Sequence, residues 1–515
     1  MHHHDDHSEP QELDFDLDHD HVVNLTELLF YEVNKLHWEL NKLEDYEIEY
    51  EILIIALLFL VCQFGHAFLE AGSVRSKNAT SVFYKTALVT AISTIVFWIC
   101  GWAFAFGEPQ NRFASYGQFF LINMPHKMSS KWFLHVVLAA HVGNVAVSTL
   151  MERSKHQGCL VLVVFITGVI YPIQMHWTWN PNGWLANGSH NVSFQDHAGS
   201  GVVHLFAGTS AGVASFVLGP RQEIFQIPLR ARGHSSALQA LGGFLGLVRL
   251  FALSAVGPAD FWDHGHGHGF MGPAAQNTVL AASFASFSTV ALRRIRRRKG
   301  PFSLLQLING GLAGAIAVSA GAAHFEPWAA AVIGILTGIA YTFLAILIRF
   351  VNIDDPINTV SVHVGGGLLG LLLVPFFIEK GIFYHWDEPS ALILAWNVCG
   401  AVVIILWSGI LTYVIMAALN ATSPSLIRAP DDAEEYGLDR YYHGSEAYNI
   451  LPCACLKHFG LGPERKITKE LERQVYANLD GSVERFDSKG RTARDRISDI
   501  SFSTSQPPTS TSTMS

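Results

Sequence analysis

Charge is the scarcest ingredient of this chain. Only 15% of its 515 residues are Asp, Glu, Lys or Arg, against roughly 25% in an ordinary soluble domain. That leaves too little charge to solvate a water-facing surface of this length, and with a formal net charge of -9 no nucleic acid is expected as a partner. Cysteine is scarce too. Of the six, Cys62, Cys100, Cys159 and Cys399 lie in or beside apolar runs, and Cys453 and Cys455 lie past them. No CxxC or Cys/His zinc spacing occurs, so neither a disulfide framework nor a metal site is expected. No nucleophile–base pairing or cofactor motif stands out, which excludes an obvious enzyme and leaves no cofactor to expect. A positively charged leader is missing as well. The first twenty residues are acidic and His-rich, so no cleavable signal peptide is expected.

What is present is apolar. Half the residues are hydrophobic, 34 are Phe and the mean hydropathy is +0.27. About eleven apolar runs of roughly twenty residues lie between about residues 50 and 420, each long enough to cross a bilayer. In lipid the backbone must satisfy its own hydrogen bonds, so these read as helices. The fold expected is all-α: a polytopic membrane protein with eleven transmembrane helices. The 44 glycines suit close helix–helix approach.

Lys and Arg fall on alternate connections: Arg75 and Lys77; Arg153 and Lys155; Arg221, Arg230 and Arg232; then the block from Arg293 to Lys299. The positive-inside rule puts these connections in the cytosol, with the N-terminus extracellular and the C-terminus cytosolic. The sequons at Asn24, Asn187 and Asn191 then face outward, as glycosylation requires. Residues 1–48 form an acidic, His-rich leader. Within it, Leu28 to Leu43 carries apolar residues at helical spacing, which predicts a short amphipathic helix on the membrane or the protein. Residues 49–421 form the membrane domain. Residues 422–479 form a cytosolic tail with enough apolar content to pack on it. Residues 480–515 are charged, then Ser/Thr-rich, and expected to be disordered. His264, His266 and His268 alternate with glycine and read as a solvated loop rather than a metal site.

Two apolar runs carry ionisable residues in matching places. Asp196 stands at the start of the fifth run (199–218), with His204 eight residues on, about 80° around a helix. Asp355 and His363 repeat that layout in the tenth run (358–378). A histidine at that depth is either a satisfied core residue or functional. Matching placement at positions five and ten favours function. It also predicts an inverted repeat of five plus five helices with an eleventh outside it, the two imidazoles meeting near the midplane.

The ordered motifs add a resemblance. They include Gly72–Asn78, Gly101–Gly107, Glu152-Arg153, Tyr171–Trp179, Asp196–Gly208, Glu326–Ala330, Asp354–His363 and Gly437–Tyr448. Together the chain resembles the ammonium transporter/methylammonium permease/Rhesus family, over roughly residues 50–450 and on its ammonium transporter side. The resemblance implies a plasma-membrane homotrimer with one ammonium/ammonia pore per subunit. It implies an ammonium-binding site at Trp179 and Asp196, a pore and proton relay at His204 and His363, and a structural acid at Asp355. It also exposes a departure. The family's two gating Phe positions correspond to Leu138, fourteen residues before Glu152, and to Leu253 in the run Arg249–Ser254. Arg249 is unusual inside a membrane helix and is expected to pair with an acid or face a subunit contact. An ammonium receptor signalling through the tail is the alternative function.

Overall fold

The computed structural model describes residues 25–448, apart from 191, 223, 227–232, 259–270, 297 and 299–300. The expectations for Asn24, Asn191, the His264–His268 loop, Cys453, Cys455 and the chain beyond residue 448 lie outside these residues.

Helices occupy every expected apolar run, and among the described residues β structure is limited to isolated bridges. In order they are α1 (Leu25–Ser73), α2 (79–105), α3 (Ser129–Ser148), α4 (156–179), α5 (Ser200–Leu218), α6 (Ser236–Val256), α7 (Met271–Arg296), α8 (Leu304–Val318), α9 (Pro327–Phe350), α10 (Thr359–Phe377) and α11 (Glu388–Thr422). By length and composition, eight of the described helices can cross a membrane: α1, α2, α4, α5, α6, α9, α10 and α11.

Their boundaries follow from local chemistry. Pro327 opens α9 where its missing N–H costs nothing. Asp387 and Ser390 form a reciprocal capping box at the start of α11. The first helix departs from expectation. No separate short helix precedes the first span; α1 is one rod of 49 residues. Residues 25–50 contain no Gly or Pro and are rich in Glu and Leu, so nothing breaks the helix before the apolar run.

At the centre α5 lies against α10, and glycine sets their separation. A Cβ on Gly208 would stand 2.8 Å from the His363 Cβ, and one on Gly367 would stand 2.6 Å from the Ser200 carbonyl oxygen. Neither position has room for a side chain, so the two histidine helices approach at backbone distance. A buried apolar cluster drawn from α1 to α6, α10 and α11 surrounds this crossing.

The end of the bundle that carries the basic connections is locked by ions. Arg75 donates to Glu152 at 2.8 Å, and Arg221 bridges Glu152 to Asp354, at 2.8 Å from the latter. Burial alone would push the Glu152 carboxyl up, but Arg221 and Arg75 outweigh it and hold it at about 2. The segment after α11 packs on this end. The Asp439 carboxylate accepts the N–H groups of Thr80 and Ser81 at 2.9 and 2.7 Å. The Asn78 side-chain oxygen accepts from Leu438 at 2.8 Å.

A candidate pore of aromatics and histidines

The site begins where α4 ends. Trp179 is buried there, and its indole N–H donates to the Asp196 backbone oxygen at 2.9 Å. The Asp196 carboxylate does not stand in the first turn of α5, as its spacing suggested. It lies ahead of the helix and accepts four backbone N–H groups, from Gly199, Ser200, Gly201 and Val202, at 2.8 to 3.1 Å. Gly199 makes the turn with φ of +86°, which favours glycine. A carboxylate has about four lone-pair sites, so both oxygens are committed to shaping the helix start.

A residue missed in the sequence completes this mouth. His135 of α3 is fully buried, with its ring 4.6 Å from Phe106, 6.0 Å from Trp179 and 6.4 Å from Trp102. Neither of its ring nitrogens has a hydrogen-bond partner. The mouth is therefore an aromatic vestibule with an unpaired imidazole in it.

Deeper in, α5 opens with a π turn over Ser200–Leu205, and His204 sits in that turn. Such single-turn bulges rotate a side chain out of the ordinary α-helical phase. His204 Nδ1 lies 3.0 Å from His363 Nδ1, and the rings are 5.1 Å apart and tilted by 34°. At that distance one nitrogen carries a hydrogen that the other accepts. Both rings are buried. Asp355 starts α10 much as Asp196 starts α5, accepting the N–H groups of Thr359 and Val360 at 2.7 and 2.8 Å.

Two further histidines adjoin the pair. His141 of α3 lies 5.7 Å from the His204 ring and 6.1 Å from the His363 ring. Its Nδ1 accepts a hydrogen bond of 3.1 Å from Arg249 Nη1. Accepting there makes His141 neutral, with its own proton on Nε2. The Arg249 guanidinium also lies 5.6 Å from the Phe59 ring centroid. Arg249 thus pairs with a histidine rather than an acid or a subunit contact. His66 of α1 stands 6.2 Å from the His141 ring and 3.1 Å from Glu70, which in turn holds Lys85 at 2.9 Å. A cavity of about 20 Å³ opens between Arg249, His66 and His363.

Leu138 and Leu253 are both fully buried and belong to the same apolar cluster as Trp179 and Val203. Leu253 is one helical turn from Arg249 in α6. Of the sequon residues, Asn187 is described and exposed. His66, His135 and His141 were legible as ionisable residues inside apolar runs, which is itself the warning sign. They lack an acid eight residues earlier, the feature that singled out the other two.

Known proteins resemble this chain in sequence and fold. The model of the Ammonium Transporter Family matches residues 51–448. The chain is 32% identical over 449 residues to a putative ammonium transporter 1 of Caenorhabditis elegans, covering 81% of this chain and 83% of that protein. It is 30% identical to ammonium transporter 3 of Dictyostelium discoideum, covering 77% of this chain and 93% of that one. Among solved structures, a sensor Amt protein superposes with a TM-score of 0.70 at 26% identity, over 78% of this chain and 99% of that one. Mep2 of Candida albicans shares the fold, with a TM-score of 0.67 at 21% identity over 78% of this chain and 93% of that one. Matched across all its apolar helices and both histidine helices, this multi-pass membrane protein belongs to the Ammonium Transporter Family.

Proposed function

We propose that the chain moves ammonium across a membrane as ammonia, through a path that runs from the Trp179 vestibule past His204 and His363. The observation that carries this reading is the buried 3.0 Å contact between the two imidazoles at the crossing of two acid-capped helices. An ammonium ion cannot enter an apolar passage intact without a large desolvation cost. The faces of Trp179, Trp102 and Phe106 hold the cation while it sheds water, each contact worth about 1–2 kcal/mol when partly desolvated. Asp196 fixes the indole and the helix start; its oxygens are already used, so it acts through position rather than contact. The cation gives up its proton to an imidazole nitrogen, of His135 in the vestibule or of the His204–His363 pair, and neutral ammonia crosses. Potassium has no proton to give up and is rejected. Eleven crossings, a homotrimer in the plasma membrane, an extracellular N-terminus, a cytosolic C-terminus and glycan at Asn24, Asn187 and Asn191 complete the proposal.

A second reading, an ammonium receptor with little flux, is favoured by Arg249, a buried cation one histidine away from the pair, and by leucines in place of both gate aromatics. The contacts of Asp439 and Leu438 with residues 78–81 supply a route from the bundle to the tail. Ammonium uptake in cells stripped of their own ammonium transporters separates the readings, provided the protein at the surface is measured. Wild-type uptake above background, raised or re-tuned by the Leu138→Phe/Leu253→Phe double variant, supports transport. Absence of uptake in both at normal surface level refutes it.

A further inference from the structure

The part of α1 ahead of the membrane bundle has no place in the function above. It lies outside the family match, which begins at residue 51. Most of its apolar residues follow a heptad rhythm, broken at Glu47, seven residues after Leu40. Leu29, Leu36, Leu43 and Tyr50 are spaced by seven, and Val33 and Leu40 fall four residues after the first two. This is a heptad seam, with leucine at d and Val or Leu at a. All six side chains are more than half exposed; Leu29, Leu36 and Leu43 stand at 63%, 59% and 63%. Among the described residues of one subunit, nothing covers this seam.

Two observations say what covers it. First, α1 is unbroken from Leu25 to Ser73. A bilayer core takes up about twenty of its residues, so the remainder projects by roughly 40 Å at about 1.5 Å per residue. A rod continuous with a membrane span cannot also lie flat on the lipid, which removes the bilayer as the occupant. Second, the rhythm runs on into the span: Ile54, Leu57, Val61 and Phe64 continue the four–three spacing, and all are exposed. The uncovered stripe thus runs along α1 into the span, interrupted at Glu47. On the opposite face Lys42 Nζ lies 4.7 Å from the Trp38 ring centroid.

We propose that residues 29–50 form a parallel coiled coil with the same segments of further copies of this chain, tying neighbouring subunits together outside the membrane. Parallel alignment is dictated by topology, since every copy of α1 enters the bilayer from the same side. In that register Glu32 at g faces His37 at e of the next copy, a complementary pair when the imidazole is protonated. Three heptads are too few for an autonomous coil. Tethering in an assembled membrane complex supplies the local concentration that such a short seam needs. The proposal rests on the reading of the chain as a membrane oligomer.

Cross-linking the full-length protein in membranes tests it. Leu36→Cys and Leu43→Cys, treated with a short bifunctional maleimide, are expected to give at least about tenfold more linked subunits than Lys35→Cys or Trp38→Cys on the outer face. Equal linking at all four positions, or none at Leu36 and Leu43, overturns the seam. A Leu36→Asp/Leu43→Asp variant supplies an independent readout. Its purified complex is expected to dissociate into subunits at a lower temperature than wild type, with the helical content of each subunit unchanged. An unchanged dissociation temperature overturns the proposal. Light scattering of the wild-type complex distinguishes the underlying reading: a monomer refutes the oligomer itself, whereas an oligomer without linking at Leu36 refutes the seam alone.

Discussion

At one end of the histidine pair, Asp196 accepts four backbone N–H groups, and its backbone oxygen holds Trp179, whose ring adjoins His135. At the other, Asp355 accepts two and stands beside Asp354, whose carboxylate is held by Arg221 and Arg153 at 2.8 and 3.3 Å. The capping device is the same; the surroundings are opposite. An aromatic face can hold a cation and let it go, because it binds through a ring quadrupole rather than an ion pair. An ionic lock holds loops in one geometry, because breaking a buried pair leaves an uncompensated charge. One sequence pattern, acid then histidine eight residues later, stands in aromatic surroundings at one end and in ionic surroundings at the other.

The sharpest break in this comparison is at its centre. His204→Ala and His363→Ala each leave the other imidazole without its partner. Each is expected to lower ammonium uptake by roughly tenfold to a hundredfold, since an orphaned buried polar group costs about 1–3 kcal/mol. Unchanged uptake in both variants removes the pair from the pathway.

Next is the asymmetry introduced by Arg249. Removing a buried charge one histidine away from the pair with Arg249→Met is expected to raise ammonium flux by roughly tenfold, the scale of a unit-charge interaction at an effective dielectric constant of about 20. A fall in flux at normal surface level means that Arg249 supports the passage rather than opposing it.

The two caps are separated by stability. Asp196→Asn removes acceptor capacity for two of four N–H groups and is expected to cost about 4 kcal/mol. Asp355→Asn is expected to cost about 2 kcal/mol, at roughly 2 kcal/mol per hydrogen bond to a charged group. Thermal unfolding in detergent ranks them, and the reverse order contradicts the capping count.

A further effect belongs to pH. The folded Glu152 carboxyl is held at about 2, below its ordinary 4.5. Its contribution of roughly 3 kcal/mol is therefore complete above the unfolded value and lost as pH falls toward the folded one. Asp354 is displaced the same way: burial is outweighed by the hydrogen bond from Arg221 and the charge of Arg153. The melting temperature is expected to be level above about pH 5 and to fall between about pH 4.5 and 2, and Glu152→Gln should flatten that fall.

The helical class, the positions of the apolar helices and the pairing of Asp196/His204 with Asp355/His363 were legible in the chain. Each rests on local regularity: run length, charge position, and an acid at a helix start. The continuous α1 was also written there, in the absence of Gly and Pro from residues 25–50, but the amphipathic spacing suggested a separate element. The phase of His204 was not legible, because the π turn over Ser200–Leu205 shifts the side chain without any residue announcing it.

By itself, then, the sequence determined that this protein is a bundle of membrane helices with two histidines buried in matching places, because hydrophobic length and ionisable depth are properties of a single helix. Only the tertiary structure decided which groups those histidines meet. His141 and Arg249 are 108 positions apart, and His135 and Trp179 come from different helices. Their proximity arises from the packing of α3 against its neighbours, which no local pattern encodes. The same reason makes the face of α1 visible: its heptad spacing is in the sequence, but that no described residue of the subunit covers it is a fact of the fold.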